Sequence, residues 1–221
     1  MRYALLSDVH GRVTPLRLAL DDARRRGVQR ILSLGDAGSD AAYAMLRAAG
    51  AVGVFGNWEV SGLSRLAPEN REYVARLPAV WDEPPFLAAH AAPYLPAGLG
   101  DPVAVARYMR KEGVGWRDLF PYLTESEDAL WKSLAELAAR GRRVLFHGHT
   151  HVQSGWRLGA GSRLQAVCGP QAALEQGAAT EDLFVIGVGS VGSPDDGDGI
   201  AYTWYDSDTG VMEWVRLPFA G

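Results

Sequence analysis

Short apolar runs alternate with longer stretches of helical periodicity through the first 150 residues. Residues 2–6 (Arg-Tyr-Ala-Leu-Leu) form a run short enough for a buried strand, and Leu16, Leu18, Leu20 and Ala23 then supply the apolar contacts of a helix. Thr14 and Pro15 suit its N-cap and first helical position, and Gly27 suits its stop. The same reading predicts a strand over 29–34, a helix from Ser39 or Asp40 to Ala49, and a strand over 51–55. A short helix is expected near 68–77, and strands at 86–90 and 143–147. The helical run before the last of these opens on a capping-box pattern, Thr124 with Glu127, and stops at Gly141. Residues 91–123, with Pro93, Pro96, Pro102, Pro121 and several aromatics, read as an insertion or lid carrying one helix over about 102–112.

After residue 155 the pattern changes to short β-like runs at 163–168, 182–187, 200–205 and 211–216, separated by Gly, Asp and Pro as in hairpins. Parallel βα units followed by antiparallel strands indicate an α/β protein with two packed sheets and helices outside. No repeat or linker interrupts the chain, so residues 1–221 are read as one domain.

Composition narrows the function. Nearly half of the 221 residues are hydrophobic, enough for a substantial core, and the net charge of -4 argues against generic nucleic-acid or membrane binding. No run of 18 apolar residues is present, and no signal-peptide pattern precedes the first strand. A single cysteine, Cys168, excludes an intrachain disulfide framework and is expected to be a small packed residue. The simplest expectation is a cytoplasmic protein acting on a small molecule; oligomeric state is left open.

The polar residues that remain are concentrated at strand ends. Asp8 and His10 follow the first predicted strand, Asp36 the second, Asn57 the third, His90 the fourth, and His149 and His151 the fifth. In open α/β sheets, ligands bind outside the carboxyl ends of the strands, so these segments are expected to converge. Singly, each residue has an ordinary explanation: Asp8 and Asp36 as caps or turns, Asn57 as a tight turn, His90 as a core histidine. Together they offer two carboxylates, one amide and four imidazoles with no thiolate, a set that suits Mn, Fe, Zn, Co or Ni. Seven ligands exceed a single open tetrahedral zinc site and suit two ions about 3.5–4 Å apart. His147 is read as packed or supporting, Arg12 as a surface arginine, and the acidic run 194–199 as a solvated hairpin turn. Tyr94, Arg107, Tyr108, Arg110 and Trp116 form either an aromatic packing layer, which is favoured, or a lid that stacks a nucleobase.

Asp8-Val9-His10, Gly35-Asp36, Gly56-Asn57, the lone His90 and Gly148-His149-Thr150-His151 resemble, in order and spacing, the signature of the calcineurin-like metallophosphoesterase superfamily. Gly189-Ser190-Val191-Gly192-Ser193-Pro194 is similar to a loop of its small prokaryotic phosphodiesterase and phosphatase branch. The resemblance implies a four-layer α/β/β/α sandwich of two mixed sheets flanked by helices. It implies that Asp8, His10 and His151 bind one divalent metal, that Asn57, His90 and His149 bind another, and that Asp36 bridges them. Manganese is placed first among the metals, with a bridging hydroxide attacking phosphorus in line. One position departs from the pattern: Trp58 stands where many members have a histidine proposed to aid the leaving group, and an indole does not titrate. The expected function is metal-dependent hydrolysis of phosphate esters, diesters slightly ahead of monoesters. The alternatives are a nucleotide-directed hydrolase (dinucleoside polyphosphate or cyclic nucleotide) and a protein phosphatase. A noncatalytic metal-binding scaffold is the rival from another class; the filling of all seven positions argues against it.

Overall fold

A computed structural model describes residues 1–159, 161, 163–167, 171–173 and 181–219. Cys168 lies outside the described residues, so its expected packing is not addressed.

Two six-stranded sheets pack face to face. The first has the order β3 (Val52–Gly53), β2 (Arg30–Ser33), β1 (Arg2–Leu6), β11 (Ile200–Asp206), β12 (Val211–Leu217), β9 (Gln171–Ala173). Its first three strands are parallel and the rest antiparallel. The second has the order β4 (Val80–Glu83), β5 (Phe86–Ala89), β6 (Val144–His147), β10 (Leu183–Val188), β7 (Gln153–Gly159), β8 (Arg163–Ala166), with β5, β6 and β10 parallel. Both are mixed sheets, and helices cover their outer faces.

The period-two pattern of the strands explains the layering. In β1, Tyr3 and Leu5 enter the core between the sheets, while Ala4 and Leu6 face α1 (Val13–Arg25) and α2 (Asp40–Ala48). In β5, Phe86 and Ala88 face the first sheet, while Leu87 and Ala89 meet α7 (Glu127–Ala139). Edge-to-face contacts in the central layer set Phe86 5.1 Å from Tyr3 and 5.7 Å from Tyr205 between ring centroids. Glu83 of β4 joins the sheets, accepting from Tyr3 Oη at 2.8 Å and from Arg30 at 2.9 Å.

Several local expectations are corrected. Helix α1 begins at Val13 after Arg12, which provides no side-chain cap, so Thr14 is already helical. Ser126, not Thr124, caps α7 by accepting from Ala129 N at 3.2 Å. Ser39 does cap α2 as expected. Residues 189–199 are not a hairpin turn: β10 and β11 belong to different sheets, and this segment crosses between them.

Residues 91–123 carry the expected helix as α5 (Pro102–Glu112), capped by Asp101, and also a short α6 (Trp116–Leu119). Val105, Leu119 and Phe120 pack with Phe55 and with Val60 of α3 (Asn57–Gly62), so this region lies beside the ends of the strands. Helix α4 (Pro68–Val74) completes the set. Among the described residues, no helix is long and apolar enough to cross a membrane.

Candidate metal centre

The turns that follow β1, β2, β5 and β6, with the start of α3, meet at one edge of the sandwich. They are interlocked by the backbone: Asp8 N donates to Gly35 O at 3.1 Å, His10 N to Asp36 O at 3.0 Å, and Gly148 N to His90 O at 2.9 Å. Asp8, His10, Asp36, His149 and His151 all have left-handed φ values between 48 and 65°. Such φ values are uncommon outside glycine and tend to cluster at functional sites.

All seven residues singled out from the sequence come together here. In one half, His10 Nε2 lies 3.0 Å from His151 Nε2, and Asp8 Oδ1 lies 3.3 Å from His151 Nε2 and 3.7 Å from His10 Nε2. In the other half, His90 Nε2 is surrounded by Asn57 Oδ1 at 3.0 Å, His149 Nδ1 at 3.2 Å and Asp36 Oδ1 at 3.6 Å. Asp8 joins the halves, since its carboxylate also groups with Asp36 and His90.

Three of these imidazoles are oriented from behind. The Nδ1–H of His90 donates to Leu34 O at 2.7 Å, Nε2–H of His149 to Phe120 O at 2.9 Å, and Nδ1–H of His151 to Ser193 O at 2.7 Å. That is the arrangement metal-ligating histidines adopt, because the rear hydrogen bond fixes which nitrogen keeps its lone pair. The consequence in the second half is specific. With the rear nitrogens committed to carbonyls, His90 Nε2 and His149 Nδ1 are the ring nitrogens that face each other and the Asn57 and Asp36 oxygens, a cluster of nitrogen and oxygen atoms that a cation can take in place of the His90 proton. Asp8 Oδ1 is likewise buried and faces only the His10 and His151 imidazoles. The donor set therefore fits divalent cations with nitrogen and oxygen preference.

Electrostatics points the same way. Asp8, Asp36 and Glu59 are buried carboxylates, and the ion pairs that reach Asp8 and Asp36 among the described residues come only from histidines. Burial pushes Asp36 up to about 8, with the Glu59 and Asp8 charges adding and His90 opposing. Burial would raise Asp8 too, but His151 and His90 hold it below the carboxylate range. Burial opposes protonation of His151, yet the hydrogen bond and charge of Asp8 lift it to about 9. Burial takes His149 down to about 3. Carboxylates and imidazoles this close, and this far from water, set one another's protonation.

Other residues fall into place around this centre. Glu59, which the sequence reading passed over, is fully buried and accepts from Asp36 N at 2.9 Å, Ala37 N at 3.0 Å, Gly56 N at 2.6 Å and the Tyr43 hydroxyl. The backbone N–H of Trp58 donates to Asp36 Oδ1 at 2.8 Å, while its indole packs against the cluster around α1 and α2. His147 is buried, driven by burial to about 4, and bonded through Nδ1 to Gly148 O at 3.0 Å. Arg12 is not a plain surface arginine: it donates to Gly192 O at 2.7 Å, fastening the first turn to the 189–199 crossover. In the acidic run, Asp196 accepts from Gln153 N at 2.8 Å and pairs with Arg216 at 2.7 Å, so it is structured rather than merely solvated.

From the 91–123 region, Tyr94 and Tyr108 pack into apolar clusters, whereas Trp116 meets His149 edge-on at 5.5 Å. Tyr122, which was not singled out, stacks on His149 at 4.4 Å, and the Arg117 guanidinium lies 5.5 Å from the Tyr122 ring.

Comparison with known proteins agrees with this geometry. The family model of the calcineurin-like phosphoesterase superfamily domain matches residues 1–210. No curated protein matches the sequence. A metallophosphoesterase from Sphaerobacter thermophilus is similar in structure, with a TM-score of 0.71 at 20% identity, covering 100% of this chain and 90% of that one. An archaeal phosphodiesterase is similar at a TM-score of 0.52 and 12% identity, covering 98% and 100% of the two chains. A protein from Thermus thermophilus is similar at a TM-score of 0.50 and 14% identity, covering 97% and 98%. These likenesses show the shared fold, and the family match includes every turn of the centre. The chain belongs to the calcineurin-like phosphoesterase superfamily, a family of divalent-metal-dependent hydrolytic enzymes.

Proposed function

We propose that the chain hydrolyses phosphate esters at two divalent cations, with diesters preferred to monoesters and manganese first among the metals. Asp8, His10 and His151 would hold one cation and Asn57, His90 and His149 the other, with Asp36 between them. The observation that carries this reading is the convergence of Asn57 Oδ1, His149 Nδ1 and Asp36 Oδ1 on His90 Nε2. When bound, such cations neutralise charge on the phosphoryl oxygens and lower the pKa of water toward roughly 7.

The chain's own residues do the positioning. Trp58 N–H and Glu59 hold Asp36 from two sides, and the rear carbonyls hold the imidazoles. Arg117 supplies a positive charge beside Tyr122 at the rim, where a phosphoryl oxygen can pair with it. Burial raises the Tyr122 phenol, so it stays a hydrogen-bond donor at neutral pH. Position 58 gives no proton to a leaving group, because the indole is packed elsewhere and does not titrate. Esters whose leaving groups depart readily as anions are therefore the better substrates. The diester preference draws support from the archaeal phosphodiesterase of similar fold.

The test is hydrolysis of paired chromogenic mono- and diester phosphates after chelation and Mn²⁺ replenishment, with Asp36→Asn beside wild type. Metal-dependent turnover, faster on the diester and abolished in the variant, is expected. Absence of turnover with every divalent metal, despite measured binding of two ions, overturns the proposal.

A further inference from the structure

A cavity of about 190 Å³ opens beside the candidate metal centre, lined by Asn57, Val60, Ser61, Met109, Trp116 and Phe120. Three of its walls are also parts of the centre. Asn57 turns its Oδ1 to His90, Trp116 meets the His149 ring, and Phe120 accepts the His149 Nε2–H through its carbonyl. A phosphate held at the centre would thus have one ester substituent directed into this cavity. Resting on the function proposed above, we infer that the cavity is the subsite for that substituent, and that it selects a flat aromatic ring of nucleobase size.

The chemistry of the lining supports this class. No charged side chain lines the cavity, and its floor is aliphatic and aromatic. Ser61 Oγ is committed to its own helix, donating to Asn57 O at 3.1 Å and Trp58 O at 3.3 Å. Trp116, one of the lining residues, remains 38% exposed, and the Arg117 guanidinium lies 5.3 Å from its ring centroid. Such an indole is a platform for stacking, which every nucleobase can use whatever its hydrogen-bonding edge.

A long acyl chain is a poorer occupant. Along α3 and the turn after it, Val60 and Ser61 also line an adjoining cavity of about 260 Å³ that is bounded by Arg71 and Arg110. The cleft therefore becomes cationic a short distance from Trp116, which suits a ring with polar substituents and opposes a continuing apolar tail. Arg110 is exposed and has no partner among the described residues.

The experiment compares two ligands with the same phosphate, adenosine 5′-monophosphate and ribose 5-phosphate, by calorimetry on the Mn²⁺-loaded protein. The nucleotide is expected to bind about tenfold or more tightly, the contribution of one stacked base. The ratio should collapse toward one in Trp116→Ala and in Ser61→Trp, which fills the cavity from α3, and be largely kept in Trp116→Phe. Equal affinities in wild type overturn the inference, as does a ratio that persists in both disruptive variants. The two proposals fail separately. Hydrolysis with equal ligand affinities removes the subsite alone, whereas an intact affinity ratio without any hydrolysis removes the catalytic reading and leaves the subsite.

Discussion

Glu59 holds Asp36 through the backbone: its Oε2 accepts the Asp36 N–H at 2.9 Å. The remaining acceptor capacity of the same carboxylate is taken by Ala37 N, Gly56 N and the Tyr43 hydroxyl. Glu59 thereby ties the turn after β2 to the start of α3, the two segments that deliver Asp36 and Asn57. Glu59→Gln would place an amide NH₂ against donors already aimed at an oxygen. A loss of about 2–4 kcal/mol is expected, from one or two buried donors left unsatisfied. Urea unfolding of the metal-free protein would measure it. Metal titration of the same variant should show weakened binding, although Glu59 lies behind the ligands.

Gly56 allows a close approach that no other residue can make. A Cβ there would strike Asp36 Oδ1 and come within 2.8 Å of the His90 ring. Gly56→Ala is therefore expected to displace two proposed ligands at once and to weaken metal binding by at least about tenfold, within the range seen when supporting groups of metal sites are altered. Calorimetric titration with Mn²⁺ reads this directly. Unchanged affinity would show that neither Asp36 nor His90 ligates.

Metal removal and Asp36→Asn should have opposite effects on stability. In wild type, Mn²⁺ at 100 times its Kd is expected to add about 2.7 kcal/mol per site by mass action, and chelation to remove it. In the metal-free state, Asp36→Asn deletes one of the centre's buried carboxylates, beside Asp8 and Glu59, yet keeps an oxygen for the Trp58 N–H. That variant should be at least as stable as chelated wild type and should gain little from Mn²⁺. Thermal melting of the four samples provides the comparison, and a full Mn²⁺ response in the variant would contradict the proposed role of Asp36.

Away from the centre, acid should weaken the contact between α1 and β11. Burial would raise the Asp22 carboxyl, but the hydrogen bonds from Tyr202 at 2.6 Å and Arg26 at 2.8 Å hold it below the usual carboxylate range. A carboxyl lowered in the folded state stabilises above its unfolded pKa of about 3.9, and that stability is lost as pH falls through the folded value. Asp22→Asn is expected to be less stable than wild type at pH 7, with the gap narrowing below about pH 4. Urea midpoints at pH 7 and at about pH 3 would test the sign.

The candidate ligands were legible because each lies just beyond a short apolar run, and a parallel strand declares its carboxyl end by losing its apolar residues abruptly. Leu6 to Asp8 and Phe146 to His149 are examples. The elements around them were harder to see. Asn57 after Gly56 has turn chemistry, and α3 is a short helix whose only strong signal, Glu59, looks like an ordinary surface acid until four donors converge on it. β7 was hidden because its Gln, Ser, Gly and Arg residues leave it half buried without clean alternation. Thr124 lies inside a turn in which Glu125 N and Ser126 N both donate to Tyr122 O, and the cap of α7 falls to Ser126 after that turn. Trp116, Arg117 and Tyr122 owe their significance to His149, which is distant in sequence and adjacent in space.

The division of the centre between the two sheets also bears on how the molecule breathes. Asp8, His10, Asp36 and Asn57 are carried on the first sheet's turns, whereas His90, His149 and His151 are carried on the second's. Ions held between those groups, as proposed above, would act as rivets across a seam. A fluctuation that slides one sheet past the other would then have to break coordination, and an ion would leave only as fast as that seam gives way. Occupancy would then slow hydrogen exchange along the inner faces of β1 and β6 together, making the two layers of the sandwich a single mechanical body.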